Sequence, residues 1–65
     1  MTTRITCPDE ATAETLATGI DAAGHDVAVI AERDAAGAEV HVVFTPADPG
    51  ELAELLPPGA SVEVY

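Results

Sequence analysis

The chain of 65 residues has no lysine, no tryptophan, and only one cysteine, one tyrosine, one phenylalanine and one serine. Each shortage excludes something. Cys7 has no internal partner for a disulfide, so a core this small is held by packing or by association. With Arg4 and Arg33 as the sole cations, the basic footprint that nucleic acid or an anionic membrane surface requires is missing. Ser61 has no histidine at a recognisable spacing, which leaves a hydrolytic triad without support. Gly19, Gly24, Gly37, Gly50 and Gly59 stand singly, in turn or cap positions, so there is no glycine-rich phosphate loop. No apolar run approaches the roughly 18 residues that cross a bilayer. The opening Met1-Thr2-Thr3-Arg4 has no signal-peptide character, and a cytoplasmic protein is expected. A core of this size supplies about 3 to 5 kcal/mol net, which leaves little room for a strained catalytic pocket. The expectation is a non-enzymatic protein without a cofactor.

Against these shortages stand twelve aspartates and glutamates, a formal charge of −10 and a hydrophobic content of 48% carried by Ala, Val, Leu and Ile. That apolar content argues for folding in spite of the charge, as one small domain over residues 1–65. The acids run from Asp9 to Glu63 without forming a block, as on the solvated surface of a folded domain. A globule of this length has a radius of gyration of about 11 Å, close to the ~10 Å Debye length at 0.1 M salt, so the acids repel without full screening. The acidity reads either as adaptation to a salty cytoplasm or as complementarity to a basic partner.

Thr3 to Cys7 reads as a short strand with Ile5 and Cys7 on one face and Arg4 and Thr6 on the other. Pro8, Asp9 and Glu10 then read as a helix start with Cys7 at the cap, proline at the first position and acids facing the positive end of the helix dipole. The helix runs to about Ala23, with Ala13, Leu16, Ile20 and Ala23 as its apolar stripe and Gly24 as its left-handed cap. Gly19 within it implies a close approach of helix to sheet. Val27, Val29 and Ala31 alternate with Ala28, Ile30 and Glu32, and after a four-residue turn, Asp34 to Gly37, Val40, Val42 and Phe44 alternate with His41 and Val43. The two runs form a hairpin. Asp48-Pro49-Gly50-Glu51 carries a capping box for a second helix of about two turns, with Leu52, Leu55 and Leu56 inward and Pro57-Pro58-Gly59 as its stop. Val62 and Val64 supply a last strand.

The order strand, helix, strand, strand, helix, strand predicts an α+β protein of ferredoxin-like, split βαβ plan: a four-stranded antiparallel sheet with two helices on one face. Ile5, Val27, Val29, Val40, Val42, Phe44, Val62 and Val64 are expected beneath the helices. The uncovered face is expected to carry Arg4, Thr6, Ala28, Ile30, His41, Val43, Glu63 and Tyr65. Of these, Ala28, Ile30, His41, Val43 and Tyr65 make a candidate interaction face, because apolar residues on a bare sheet face mark an association surface. A binding module that associates with itself, as a homodimer, or with a protein partner through this face or an edge strand is the leading expectation. An acidic inhibitor or antitoxin-like protein occupying a basic site, through Glu10, Glu14, Asp21 and Glu51, is the alternative.

Cys7 beside a helix start is the other candidate, as a reactive thiol or a small core residue. In layout and length the chain resembles the heavy-metal-associated domains of the copper-chaperone type, whose metal-binding cysteines follow the first strand. That resemblance implies thiol or metal chemistry at Cys7, but Pro8, Asp9 and Glu10 occupy the positions where the family has its second cysteine. Neither His25 nor His41 stands at ligand spacing from Cys7. Glu14 to Ala17 and Ile20 to Val27 resemble the helix-to-strand passage of SPOR and similar modules, which implies fold alone.

Overall fold

The computed structural model describes residues 2–65. The elements are β1 (Thr3–Cys7), α1 (Glu10–Ala22), β2 (Ala28–Arg33), β3 (Glu39–Thr45), α2 (Pro49–Leu52) and β4 (Ser61–Val64). The strands form one sheet in the order β2-β3-β1-β4, with every neighbouring pair antiparallel. An α+β architecture with a four-stranded antiparallel sheet and two helices results. Beyond β4 the pairing continues, because Thr2 and Tyr65 exchange backbone hydrogen bonds of 2.9 and 2.8 Å.

The cap of helix α1 lies two residues beyond the expected Cys7. Its cap is Asp9, in extended backbone, whose carboxylate accepts the Thr12 N–H at 2.7 Å. A carboxylate is a far better acceptor for a free helix N–H than a thiol, so Asp9 caps and Pro8 remains outside the helix. Ala13, Leu16 and Ile20 form the buried stripe. Ala23, expected in that stripe, caps the C-terminus in an exposed position, and Gly24 follows at φ 89°, the left-handed position that glycine takes without strain.

Helix α2 is a single turn of four residues instead of two turns, with its capping box intact: Asp48 accepts from the Gly50 N–H at 2.7 Å, and Glu51 reaches back to the Asp48 N–H at 3.3 Å. Leu52 from this turn joins Ile5, Cys7, Ala13, Leu16, Ile20, Val43 and Ala47 in one core, with Val27, Leu55, Leu56, Ala60 and Val62 around it. Both helices therefore cover the same sheet face. Gly19 faces Leu55, not the sheet: a Cβ there would lie 3.1 Å from a Leu55 methyl.

The register of β3 differs from expectation. The turn between β2 and β3 has five residues, Asp34 to Ala38, because Arg33 pairs with Glu39 and the Asp34 carboxylate accepts the N–H groups of both Ala36 and Ala38 at 2.9 Å. One residue more than the expected four shifts the parity of the returning strand and exchanges its faces. Val43 and His41 thus lie on the helix-covered side, opposite Ile5 and Cys7, while Val40, Val42 and Phe44 lie on the uncovered side. At the end of the core, Thr3 and Thr45 stand opposite each other, both buried. Each hydroxyl donates at 2.6 Å, Thr3 to the Ala47 carbonyl and Thr45 to that of Asp26, so their burial leaves no polar group unpaired.

Candidate interaction surface

Two surfaces follow from this sheet: its uncovered face and its two edges. On the uncovered face Arg4 points out from the central strand β1. Its guanidinium donates to Glu32 on β2 at 2.5 Å and to Glu63 on β4 at 3.3 Å, and lies 6.0 Å from the centre of the Phe44 ring on β3. One side chain thereby touches a residue from each of the other three strands. Burial alone would lower the Arg4 pKa, but Glu32, with Tyr65, outweighs it and holds the guanidinium above its ordinary value.

Arg4 stands at the level of Phe44 and Glu32 at the level of Val40, so the line between them passes over Val42. Val42 is accordingly 0% exposed although no helix covers it. The aliphatic stem of an arginine is well suited to this role, since it covers apolar surface while the charged head remains near water. The middle of the bare face is closed by the protein's own arginine.

The sequence-based candidates separate on this frame. Ala28 and Ile30 are exposed on the uncovered face as expected, Ile30 to 44%. Tyr65 is also exposed there, and its hydroxyl donates to Glu63 at 2.9 Å. Val43 is not on this face; it lies at 0% exposure in the core, where a charged substitution would unfold the protein instead of probing an interface. His41 is not on it either. It lies on the covered side with its Nε2 3.4 Å from Glu39 Oε1. Both misplacements follow from the longer turn.

His41 is also the cross-strand partner of Cys7, on the same side of the sheet and not on opposite sides. Cys7 itself is fully buried. Burial, and secondarily the charge of Asp9, push its thiol pKa up, which opposes formation of a nucleophilic thiolate. Among the described residues, no three His, Cys, Asp or Glu side chains converge as metal ligands. The geometry makes Cys7 a packing residue. Among the described residues, no helix is long and apolar enough to cross a membrane.

The edges differ from each other. Strand β4 is short, four residues, with Glu63 engaged by Arg4. Strand β2 is six residues long, pairs only with β3, and is exposed at every position except Glu32. Helix α1 packs most heavily on β3 and reaches β1 and β2 as well, yet Val29, on the helix side, is still 41% exposed while Ile30 is 44% exposed on the other. Six consecutive residues of β2 pair with β3 without a bulge, and the strand contains no proline or lysine. Of the usual devices that keep an edge from pairing with another chain, proline, lysine and a bulge are missing, and the strand's charges, Glu32 and Arg33, stand together at its end. Where β2 begins, Ala28, Phe44 and Pro46 line part of a shallow groove of about 250 Å³.

An edge position for β2 is what the split βαβ plan implies, but its exposure on both sides departs from the expectation that Val29 lies beneath the helices. No family model matches the chain, and comparison with curated proteins and with solved structures likewise gives no match.

Proposed function

We propose that this chain is a non-enzymatic protein-binding module of ferredoxin-like plan that associates by adding a strand to the free edge of β2. One observation carries this reading: a six-residue outer strand, free on one side, with Val29 and Ile30 exposed on its two faces. An unpaired strand offers a row of backbone donors and acceptors, and alternate side chains supply selectivity on each face of the sheet. The edge is preferred over the uncovered face because Arg4, Glu32 and Glu63 already occupy the middle of that face and Val42 beneath them is sealed. Ala28 and Ile30 belong to both surfaces, and an incoming strand would lie beside them. The ferredoxin-like assignment rests on the strand order and pairing directions, with both helices over one face. A cytoplasmic location remains part of the reading.

The test is site-specific photo-crosslinking in extract of the source cells, with the crosslinking residue at position 29 on β2 or at position 61 on β4. The expected result is a discrete product from position 29 alone, lost when Ile30→Lys is introduced. Ile30→Lys should itself leave stability within about 1 kcal/mol, the span of strand propensities. Products from position 61 alone, or no product from either position with a protein that sediments as a monomer at high micromolar concentration, would overturn the proposal.

A further inference from the structure

We infer that the occupant of the β2 edge is an extended segment of a basic protein, apolar in its middle and bracketed by lysine or arginine, and not a second copy of this chain. The inference rests on the strand-addition reading and specifies the partner's chemistry. The exposed apolar stretch Ala28-Val29-Ile30-Ala31 lies between the exposed Asp26 at one end and Glu32 and the exposed Asp34 at the other. Arg33 is the one cation in that interval, and its guanidinium is turned back to donate to the Gly37 carbonyl at 2.9 Å. Acids therefore flank the apolar stretch at both ends, on a chain whose formal charge is −10; Glu32 is already paired with Arg4, whereas among the described residues Asp26 and Asp34 enter no ion pair.

Self-pairing meets this pattern badly. Two copies joined by a twofold axis perpendicular to the sheet keep each face continuous, so opposed residues share parity along the strand. Centring the contact on Ile30 sets Asp26 of each copy opposite Asp34 of the other. Centring it on Val29 sets Asp26 opposite Glu32. Like charges directly opposite each other destabilise a strand pair. Moving the centre to Ala31 avoids both pairs but places Glu32 against Ile30. Every register that overlays the apolar stretch thus opposes like charges or sets a carboxylate against an apolar residue, at both ends by symmetry. A strand with lysine or arginine at its ends turns the same positions into opposite-charge pairs, and its positive charge is drawn toward the acidic chain before contact.

The probes are ten-residue peptides with an alternating Val-Thr centre bracketed by lysines, by serines or by glutamates, plus the lysine peptide N-methylated at alternate backbone positions of its centre. Binding is measured by fluorescence anisotropy at 0.1 M salt, and the contact is located by amide exchange of the protein. The expected result is at least tenfold tighter binding of the lysine peptide than of the serine peptide, none of the glutamate peptide, loss on N-methylation, and slowed exchange in Ala28 to Ala31. Equal binding of lysine and serine peptides with slowed exchange in β2 would overturn the basic-partner inference and leave strand addition standing. A dimer seen by sedimentation and abolished by Ile30→Lys would do the same. Binding of the lysine peptide that survives N-methylation and leaves β2 exchange unchanged would overturn both, as would no binding of any peptide up to millimolar concentration.

Discussion

Cys7 illustrates how a side chain's surroundings decide its chemistry when its position alone suggests otherwise. It follows a strand and precedes a helix, as activated cysteines do, but it is sealed in the core and the cap position belongs to Asp9. Because its thiol pKa is raised in the folded protein, first by burial and then by Asp9, the unfolded chain releases the thiol proton at lower pH than the folded one. The stabilising contribution is complete below the unfolded thiol pKa of about 8.5 and is lost as pH rises through the higher folded value. The urea midpoint should consequently fall more steeply between pH 8 and pH 10 in the wild type than in Cys7→Ala, and a disulfide reagent should react only at the rate of unfolding. Prompt reaction of the native thiol, or parallel pH profiles, would show Cys7 to be accessible. Arg4 makes the complementary point. Exposed ion pairs contribute little individually, and the greater consequence of this side chain is that it covers Val42.

At the scale of elements, the five-residue turn from Asp34 to Ala38 sets which half of β3 faces the helices. Deleting Ala35 would ask for a four-residue connection and turn Val43 outward, with Val42 and Phe44 turned under α1. The Asp34 carboxylate would also lose the spacing at which it holds two N–H groups. The deletion variant should lose its cooperative thermal transition, whereas adding a glycine at the same place together with that deletion should restore it; a deletion variant that melts like wild type would show that the turn does not set the register. This turn also marks the limit of what could be read from residues alone. β1, the stripe of α1, the Asp48 capping box and the existence of a hairpin were legible because each has a local signature in proline, glycine, acids or alternation. The parity of β3 was not, because Val40, Val42, Val43 and Phe44 leave apolar residues on both faces of that strand and only the turn length chooses between them. Of the candidate face, Ala28, Ile30 and Tyr65 were placed correctly because β2 and the chain's end do not depend on that choice, and His41 and Val43 were misplaced because they do. The sealing of the bare face by Arg4 was illegible, since it requires Glu32 and Glu63, far apart in sequence, to meet one side chain.

At the scale of the whole molecule, the charge of −10 is carried on a body with a radius of gyration of 10.9 Å. Raising NaCl from 0.1 M to 1 M shortens the screening length from about 10 Å to about 3 Å. The two Arg4 ion pairs weaken as well, but they are outnumbered by repulsions among twelve acids. The melting temperature should rise, and a relief of about 1 kcal/mol corresponds to roughly 4 to 8 °C in a domain of this size. An unchanged or lower melting temperature in NaCl would show that repulsion is not a main cost to the folded state. The sheet order has a bearing on how the molecule is assembled in time. β1 lies between β3 and β4, and Thr3 is paired with Val64 across almost the whole chain. Only the β2 and β3 hairpin can pair locally; the central strand closes large loops on both sides, and loop closure of that kind slows folding. During synthesis β1 leaves the ribosome before either of its partners exists, and its apolar Ile5 waits for both. The strand that carries the core's Ile5 and the face's Arg4 is made early and is completed last.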